Sequence, residues 1–477
     1  MLKSFPVVFF SMVVFGCVPA DAQAICPNGV ASNKLICLIP QVYGSNGLVL
    51  ASTGGGSNFQ TRNFSTSSLQ ALGANIGQSL KLPVASPASG FTYIWDPTTQ
   101  TSVRSTDSFG PILGERAETI GRHKVSLAFT YEYFKLQKLD SRDLKDLPSV
   151  FPQSDDSVDV VNPDGSPRTC SVDGDNQSAC GFIRDVIKTQ NRVNLTVNQF
   201  TTFMSYGPTN SIDISLAVPI RVVRMGITST AKIVDNSKSG LHTFDIPPDG
   251  SCGQLPPNYD PCREKVFSDS RGASGIGDMT LRVKGTVSRG EHAVVALGVD
   301  VLFPTGDALN FLGSGAYGVR PFAVVSYGKS RFSPHGLLGY EANGNSKIAG
   351  DISRGTTGRL PSRLTYSGGV DVWVTKRLST AFDVIGQEVF QAPRTVKSTF
   401  PELGACVTPD CTSFETPVND DDLSQKTGSF NISNAALGVR LKVVSNLLVT
   451  GNVLLRLNSG GGLWARAVPL IGLSCNF

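Results

Sequence analysis

The closing stretch "GLWARAVPLIGLSCNF" (462–477) decides how the rest of the chain is read. Leu463, Ala465, Ala467, Pro469, Ile471, Leu473, Cys475 and Phe477 fall on alternate positions, and all are apolar. Between them stand Trp464, Arg466, Val468, Leu470, Gly472, Ser474 and Asn476, a mixed set. A period of two belongs to a strand whose two faces meet different surroundings. In a soluble sandwich the apolar face turns to a core; in a membrane barrel it turns to lipid, and the mixed face lines a lumen. A last strand ending in an aromatic fits the second case. There the last strand pairs with the first, and Phe477 is expected to act as a signal to the barrel-assembly machinery.

The same alternation recurs from Arg122 onward. "KVSLAFTYEYF" (124–134) sets Val125, Leu127, Phe129, Tyr131 and Tyr133 against Lys124, Ser126, Thr130 and Glu132. "RVNLTVNQFTTF" (192–203) sets Val193, Leu195 and Val197 against Arg192, Asn194, Thr196 and Asn198. "SIDISLAVPIRV", "DMTLRVKGTV", "HAVVALGVDVLF", "VRPFAVVSY", "FSPHGLLGYE", "RLTYSGGVDVWV", "LSTAFDVIG", "NAALGVRLKVV" and "NLLVTGNVLLRL" follow before the terminal strand. These predict an all-β fold, a transmembrane antiparallel barrel of about twelve strands over 122–477. Connections alternate between tight turns at 207–210, 288–291, 328–331, 375–377 and 444–446 and long segments at 138–181, 233–275, 305–316, 346–361 and 392–429. Short periplasmic turns and long outer loops are the barrel pattern.

Composition agrees. Charged residues make up only 17% of the chain, Gly contributes 49 residues, and the formal charge of +4 gives no case for a nucleic-acid partner. Past the N-terminus no apolar run is long enough for a membrane-spanning helix. Lys3, the apolar "FPVVFFSMVVFG" and the small-residue "PADAQA" read as a cleaved export signal over 1–24. Cysteines in an exported chain read as local disulfide staples. The close pairs are Cys26 with Cys37, Cys170 with Cys180, Cys252 with Cys262, and Cys406 with Cys411, while Cys475 reads as a buried free thiol. Residues 25–121 are Gly/Ser/Thr-rich, with a helical stripe of Leu69, Leu72, Ile76 and Leu80 and a hairpin around Pro97. They form a periplasmic segment or a plug, because so wide a barrel cannot be filled by its own side chains.

At "SFGPILGERAETIGRHKVSLAFTYEYF" (108–134), "FPTGDALNFLGSGAYGVRPFAVVSYG" (303–328) and "FSPHGLLGYEANGNS" (332–346) the chain resembles bacterial outer-membrane transporters of the "MetA-pathway of phenol degradation" family. These are similar in turn to outer-membrane transporters of long-chain fatty acids and aromatic hydrocarbons. The resemblance implies a barrel, an outer-membrane location with lipid as a partner, and uptake of apolar small molecules. Its motifs are strand–turn–strand punctuation, so phenol is not carried over as a ligand.

Taking the mixed faces as the lumen, its lining is expected to carry Lys124, Arg192, Arg221, Arg282, Lys284, Arg320, Arg363, Arg440, Lys442, Arg456 and Arg466, with His335. Acidic partners are Glu132, Asp213, Asp278, Asp300, Glu341, Asp371 and Asp383. Such a lumen either favours anionic solutes or is an internal ion-pair network that holds a plug. "PTGDALNFLGSGAYG" (304–318) lacks the Lys-Ser/Thr of a phosphate loop and reads as an outer loop folded inward on Phe311 and Leu312. The acidic "SVDGDNQSA" and "NDDDL" lack EF-hand spacing, so neither metal nor cofactor is expected. His242 and Asp245 have no clear catalytic third partner, so an enzyme is not expected. The expected function is passive passage of small hydrophobic or amphipathic molecules, and the alternative is a structural or surface-binding barrel.

Overall fold

The structure is a computed structural model that describes residues 33–43, 48, 51–52, 68–80, 93–96, 101–104, 109–152, 185–236, 242–244, 262–328, 331–350, 352, 355–402, 404–405, 407, 413, 415–444 and 446–477. Twelve strands close into an antiparallel barrel. They are β1 (Val125–Leu136), β2 (Val186–Tyr206), β3 (Ile212–Val234), β4 (Met279–Arg289), β5 (Ala293–Phe303), β6 (Gly318–Tyr327), β7 (Phe332–Asn343), β8 (Arg363–Thr375), β9 (Leu378–Glu402), β10 (Val418–Val444), β11 (Leu447–Arg456) and β12 (Ala467–Asn476). Every strand read from the alternation is present. β12 returns to β1, with Leu470 opposite Glu132 and Asn476 opposite Ser126. At the foot of this seam Phe477 donates its backbone N–H to the Val125 carbonyl at 2.8 Å, and Val125 returns the bond at 3.1 Å.

The tight turns gather at one end, taken as periplasmic by the barrel rule, and the long connections at the other. On the outer face Leu297, Val319, Leu338, Phe382, Leu437 and Ile471 are exposed. Aromatic rings edge this band: Tyr206, Tyr327, Phe332 and Phe477 beside the short turns, Phe200, Tyr317 and Tyr340 at the other margin. Ten residues tilted by about 40° rise roughly 25 Å, the height of a lipid-facing belt. No helix of the described residues is long and apolar enough to cross a membrane.

Beyond the belt the barrel continues as taller walls. Glu264–Ile276 extends the sheet along upper β3, and Leu147–Pro152 along upper β2. Here one expectation fails. Arg192, read as luminal, is exposed on the outside, and Val193, Leu195 and Val197, read as the outer face, are buried inside. The crossover is the paired rung Gln199–Arg221. Below it the outward residues are Phe200, Met204, Ile214 and Ile220; above it Val193, Leu195, Val197, Val223, Met225 and Ile227 turn inward and are buried. Once the outer face leaves lipid for water, the only dry side is the interior, so the apolar residues must change faces. A one-residue phase slip does this, visible at "VNQF" (197–200) and at the doublet Val222–Val223.

The inward residues of these walls pack with the N-terminal segment. Leu35, Ile36, Leu72 and Ile76 share one core with Val193, Leu195, Val197, Val223 and Met225. Leu72 and Ile76 lie on helix α1 (Ser68–Ser79), and the hairpin around Pro97 pairs Tyr93–Asp96 with Thr101–Arg104. Much of the loop expected at 392–429 is a ribbon instead: β9 and β10 stay paired out to Glu402–Val418.

The cysteine expectations divide. Cys475 is a free thiol, half-exposed on the outer face of β12 rather than buried, because its odd register position points it away from the lumen. Cys37 and Cys262 are buried. Their expected partners, Cys26 and Cys252, lie outside the described residues. So do both members of the other two expected staples, Cys170 with Cys180 and Cys406 with Cys411, and the export signal.

The change of solvent along the wall has a direct test. Leu297→Arg, at mid-belt on β5, is expected to destabilise the barrel by about 2–4 kcal/mol, whereas Arg192→Leu should change stability by less than about 0.5 kcal/mol. Reversible denaturant unfolding in phospholipid vesicles measures both. Comparable losses for the two would show that Arg192 is not in water.

Candidate functional site

The lower lumen is threaded by residues 109–121, which carry no regular secondary structure. Side chains on β3, β4, β6, β8 and β10 hold this segment. Register explains the wall's contribution. Arg282 on β4, Asp300 on β5 and Arg320 on β6 are direct cross-strand partners, so they make one charged rung. Arg282 Nε donates to Asp300 Oδ1 at 2.8 Å and Arg320 Nε to Oδ2 at 2.9 Å. The rung is completed from the threaded segment: Glu115 accepts from Arg282 and, at 2.9 Å, from Lys284 Nζ. Lys284 also donates to the carbonyls of Arg116 and Glu118 at 2.8 and 2.9 Å. Asp213 accepts from the Ile120 N–H at 3.1 Å, and Ser326 Oγ accepts from the Ala117 N–H at 2.9 Å.

Across the lumen a second cluster holds the same segment. Arg116, 2% exposed, pairs with Asp371 on β8, which also faces His335 Nδ1 at 3.4 Å. His335 Nε2 meets Asp383 Oδ1 at 2.7 Å. The strand between them offers Gly369 at this level, where a Cβ would collide with Asp383 Oδ1. Gly114 passes His335 so closely that a Cβ would lie 2.6 Å from Nε2. Arg440 on β10 donates to the Phe109 carbonyl.

The remaining expected residues do other work. Arg221 donates to Gln199 Oε1 at 2.8 Å and to the Leu312 carbonyl at 3.1 Å, and Asp278 accepts from the Gly306 and Ser314 amides at 3.2 and 2.6 Å. Together they tie down the inward-folded loop 304–317, whose Phe311 (φ 59°) and Leu312 are buried. Phe311 packs on Gly77 of α1, and Arg363 donates to the Gln78 carbonyl at 3.1 Å. Arg456 binds the Asn458 and Gly461 carbonyls of its own loop. Glu132 accepts from Gln199 Nε2 at 2.7 Å. Lys124 and Lys442 sit at inward register positions near the short-turn end, and Arg466 is exposed. In the upper cap Tyr43 packs edge-on to Phe267 at 5.1 Å and shares a 2.9 Å hydrogen bond with Ser229. Burial pushes its phenol up to about 12, against the opposing effect of that bond.

Between the threaded segment below and the α1 cap above lies a chamber of about 200 Å³. Its apolar walls include Leu113, Phe203, Leu302, Leu337, Leu454 and Leu470. Its polar lining includes Glu115, Glu132, Arg282, Arg320 and Glu341. A smaller cavity of about 40 Å³ shares Thr280 and Leu302 with it and reaches up to Gly77, Gln78 and Ile348 beneath the cap. No cluster of metal-ligating side chains occurs among the described residues. Sequence reasoning named the wall charges but missed Glu115 and Arg116, their partners. The stretch "GERAE" (114–118), charged in an otherwise Gly/Ser/Thr-rich region, was the available signal.

Residues 175–393 match the family described as "Putative MetA-pathway of phenol degradation". The resemblance seen at 303–328 and 332–346 is thus borne out, over a range that runs from just before β2 well into β9. No curated protein matches the chain. Among solved structures, an outer-membrane channel from Pseudomonas putida F1 is 11% identical, with a TM-score of 0.41, covering 76% of this chain and 98% of its own. A FadL homologue from Pseudomonas aeruginosa is 9% identical (TM-score 0.30; 82% and 96% covered). The toluene transporter TbuX of Ralstonia pickettii is 10% identical (TM-score 0.26; 75% and 90% covered).

Both ends of the filled lumen can be probed. Lys284→Met leaves Glu115 and two buried carbonyls short of a donor and should cost about 3–5 kcal/mol by chemical denaturation, with protease cleavage appearing near 115–118. Tyr43 stays protonated in the folded chain while the unfolded phenol ionises near 10. Cap stability is therefore full below pH 10 and falls as pH rises from about 10 to about 12. Tyr43→Phe should remove that part of the alkaline loss, as read by unfolding followed at both pH extremes.

Proposed function

We propose that this chain is an outer-membrane channel for the passive passage of small hydrophobic or amphipathic molecules, with the mid-lumen chamber as its waystation. The chamber itself carries the proposal. It is a partly open cavity, mostly apolar, bordered on one side by the Arg282–Asp300–Arg320 rung. The threaded segment occupies the lumen below the chamber and the cap helix packs above the small cavity that adjoins it. An alkyl or aromatic body fits the leucine-rich wall, and a polar end can reach Arg320 or Glu341. The lumen charges are engaged with one another and with residues 109–121, which supports the plug-holding reading of them over anion selectivity. The route from outside runs beneath loop 304–317 and α1, through the small cavity, into the chamber.

Reconstituted full-length chain should give single-channel conductance far below that of an open pore of this width, together with uptake of a fluorescent alkyl probe into vesicles. Leu337→Trp, which fills the chamber, should lower that uptake about tenfold, the equivalent of about 1.4 kcal/mol, at unchanged thermal stability. A large ohmic conductance with no probe uptake would make the barrel an ordinary diffusion porin and end the proposal.

A further inference from the structure

A separate basic groove lies on the long-loop side, beyond the lipid-facing belt. It has a volume of about 650 Å³ and brings together Arg142, Arg394, Lys397 and Lys426 around Asp140. The chain builds it from two pieces. One is a tight hairpin at Leu139–Arg142, whose two corner residues, Asp140 (φ 49°) and Ser141 (φ 70°), both adopt left-handed backbone. That is the geometry of a type I′ turn, and it places Arg142 at the groove. The other is the β9–β10 ribbon past the bulge at Gln391 (φ 48°), where Arg394 stands directly opposite Lys426.

Like charges directly opposite one another on paired strands are destabilising. Arg394 has partial compensation in the face of the Phe430 ring, 5.5 Å away, and in Asp140, whereas Lys426 has no ion pair among the described residues. Asp140 is the groove's single carboxylate, and it already accepts from the Thr395 and Gly462 amides, each at 2.8 Å, as well as from Arg394 Nε at 3.4 Å. Arg394 spends a second donor on the Gly460 carbonyl at 2.8 Å, which removes no charge. Lys397 is taken by Asp421 at 2.7 Å. Lys426 makes no ion pair among the described residues, and Arg142 Nη2 is buried without a hydrogen-bond partner. Arg142, Lys426 and Arg394 thus line one space with a surplus of positive charge. Guanidinium groups match phosphate oxygens with paired donors, and a lysine adds a point charge.

We propose that this groove binds a phosphate group, and that Arg142 and Lys426 are its principal ligands. The groove lies past Phe390, whose ring meets Tyr340 at the upper aromatic margin, on the long-loop side of the barrel. A phosphate borne by an outer-leaflet lipid and a free phosphate present the same oxygens to it, and the experiment separates the two. The site is independent of the transport route, since none of these side chains lines the chamber.

Native mass spectrometry and detergent-micelle titration of the full-length chain test this, using a diphosphorylated diglucosamine lipid and its dephosphorylated form. The wild type should prefer the phosphorylated lipid by about tenfold or more, as charge-assisted contacts of this kind imply. R142Q/K426Q should lose the preference, and R142K/K426R should keep most of it. Neither side chain is in an ion pair among the described residues, so thermal unfolding of both variants should match the wild type. Displacement of the lipid by inorganic phosphate at low millimolar concentration would assign the site to any phosphate; no displacement would confine it to lipid-borne phosphate. Equal binding of the two lipids by the wild type, or an undiminished preference in R142Q/K426Q, would overturn the proposal, and the wild-type comparison decides it even if a variant misfolds.

Discussion

Hydrocarbon offers no hydrogen-bond partner to a peptide group, and the structure follows from that constraint. A sheet in lipid must have no edge, so β12 has to find β1, and it does so down to the mutual backbone bonds of Phe477 and Val125. Closure with twelve strands fixes a girth that inward side chains alone do not fill. The interior must then be wet, or it must be filled by other parts of the chain. Here residues 109–121, α1 and the 304–317 loop fill it, and the chamber is the space they leave.

How much of this the sequence reveals depends on the range of each interaction. Strands announce themselves locally, because a period of two needs only neighbouring residues, and all twelve were legible. The medium facing each side is not a local property. "RVNLTVNQFTTF" alternates cleanly, yet its first half stands in water and its second half in lipid, so one assignment of faces could not serve both. Arg192 was misplaced for that reason. The slip at 197–200 carried the information, but only to a reader who asked how tall the wall is compared with a bilayer. The ribbon at 392–429 was hidden differently. Its Pro, Gly and Asp residues look like loop, but β9 and β10 pair residue for residue once the barrel has brought them together.

The lumen charges show the same limit in another form. Their positions on alternate residues were readable, their partners were not. Glu115 lies 167 residues from Arg282, and Arg116 lies 255 from Asp371. Interleaved acids and bases along a wall are what either an ion-selective pore or a socket would present. What distinguishes them is whether a complementary set enters from elsewhere. Asp300, Asp371 and Asp383 are fully buried, a state that carboxylates tolerate only with near-complete pairing. Arg116 supplies a partner to Asp371, and Glu115 pairs with the wall cations Arg282 and Lys284. The wall and the threaded segment are therefore halves of one electrostatic unit, each unfavourable without the other.

The two closures of the chamber consequently differ in kind. Drawing residues 109–121 out of the lower lumen would take Glu115 from Arg282 and Lys284 and Arg116 from Asp371, and losing one partner of a buried ion pair costs about 3–5 kcal/mol. Moving the cap breaks the hydrogen bonds of Asn75 and Gln78 and the part-exposed Lys34–Asp307 pair, and otherwise exposes aliphatic and aromatic surface, about 1.5–3 kcal/mol per large side chain, which an amphipathic solute can itself cover. A hydrophobic molecule entering beneath Phe311 replaces the contacts it breaks; nothing apolar can replace the partner of Asp371. The cap is thus the closure that the proposed cargo can open, while the threaded segment remains the floor. Under the proposed function, selectivity for apolar solutes needs no dedicated recognition site, because only molecules able to substitute for the cap's own side chains lower the cost of displacing it.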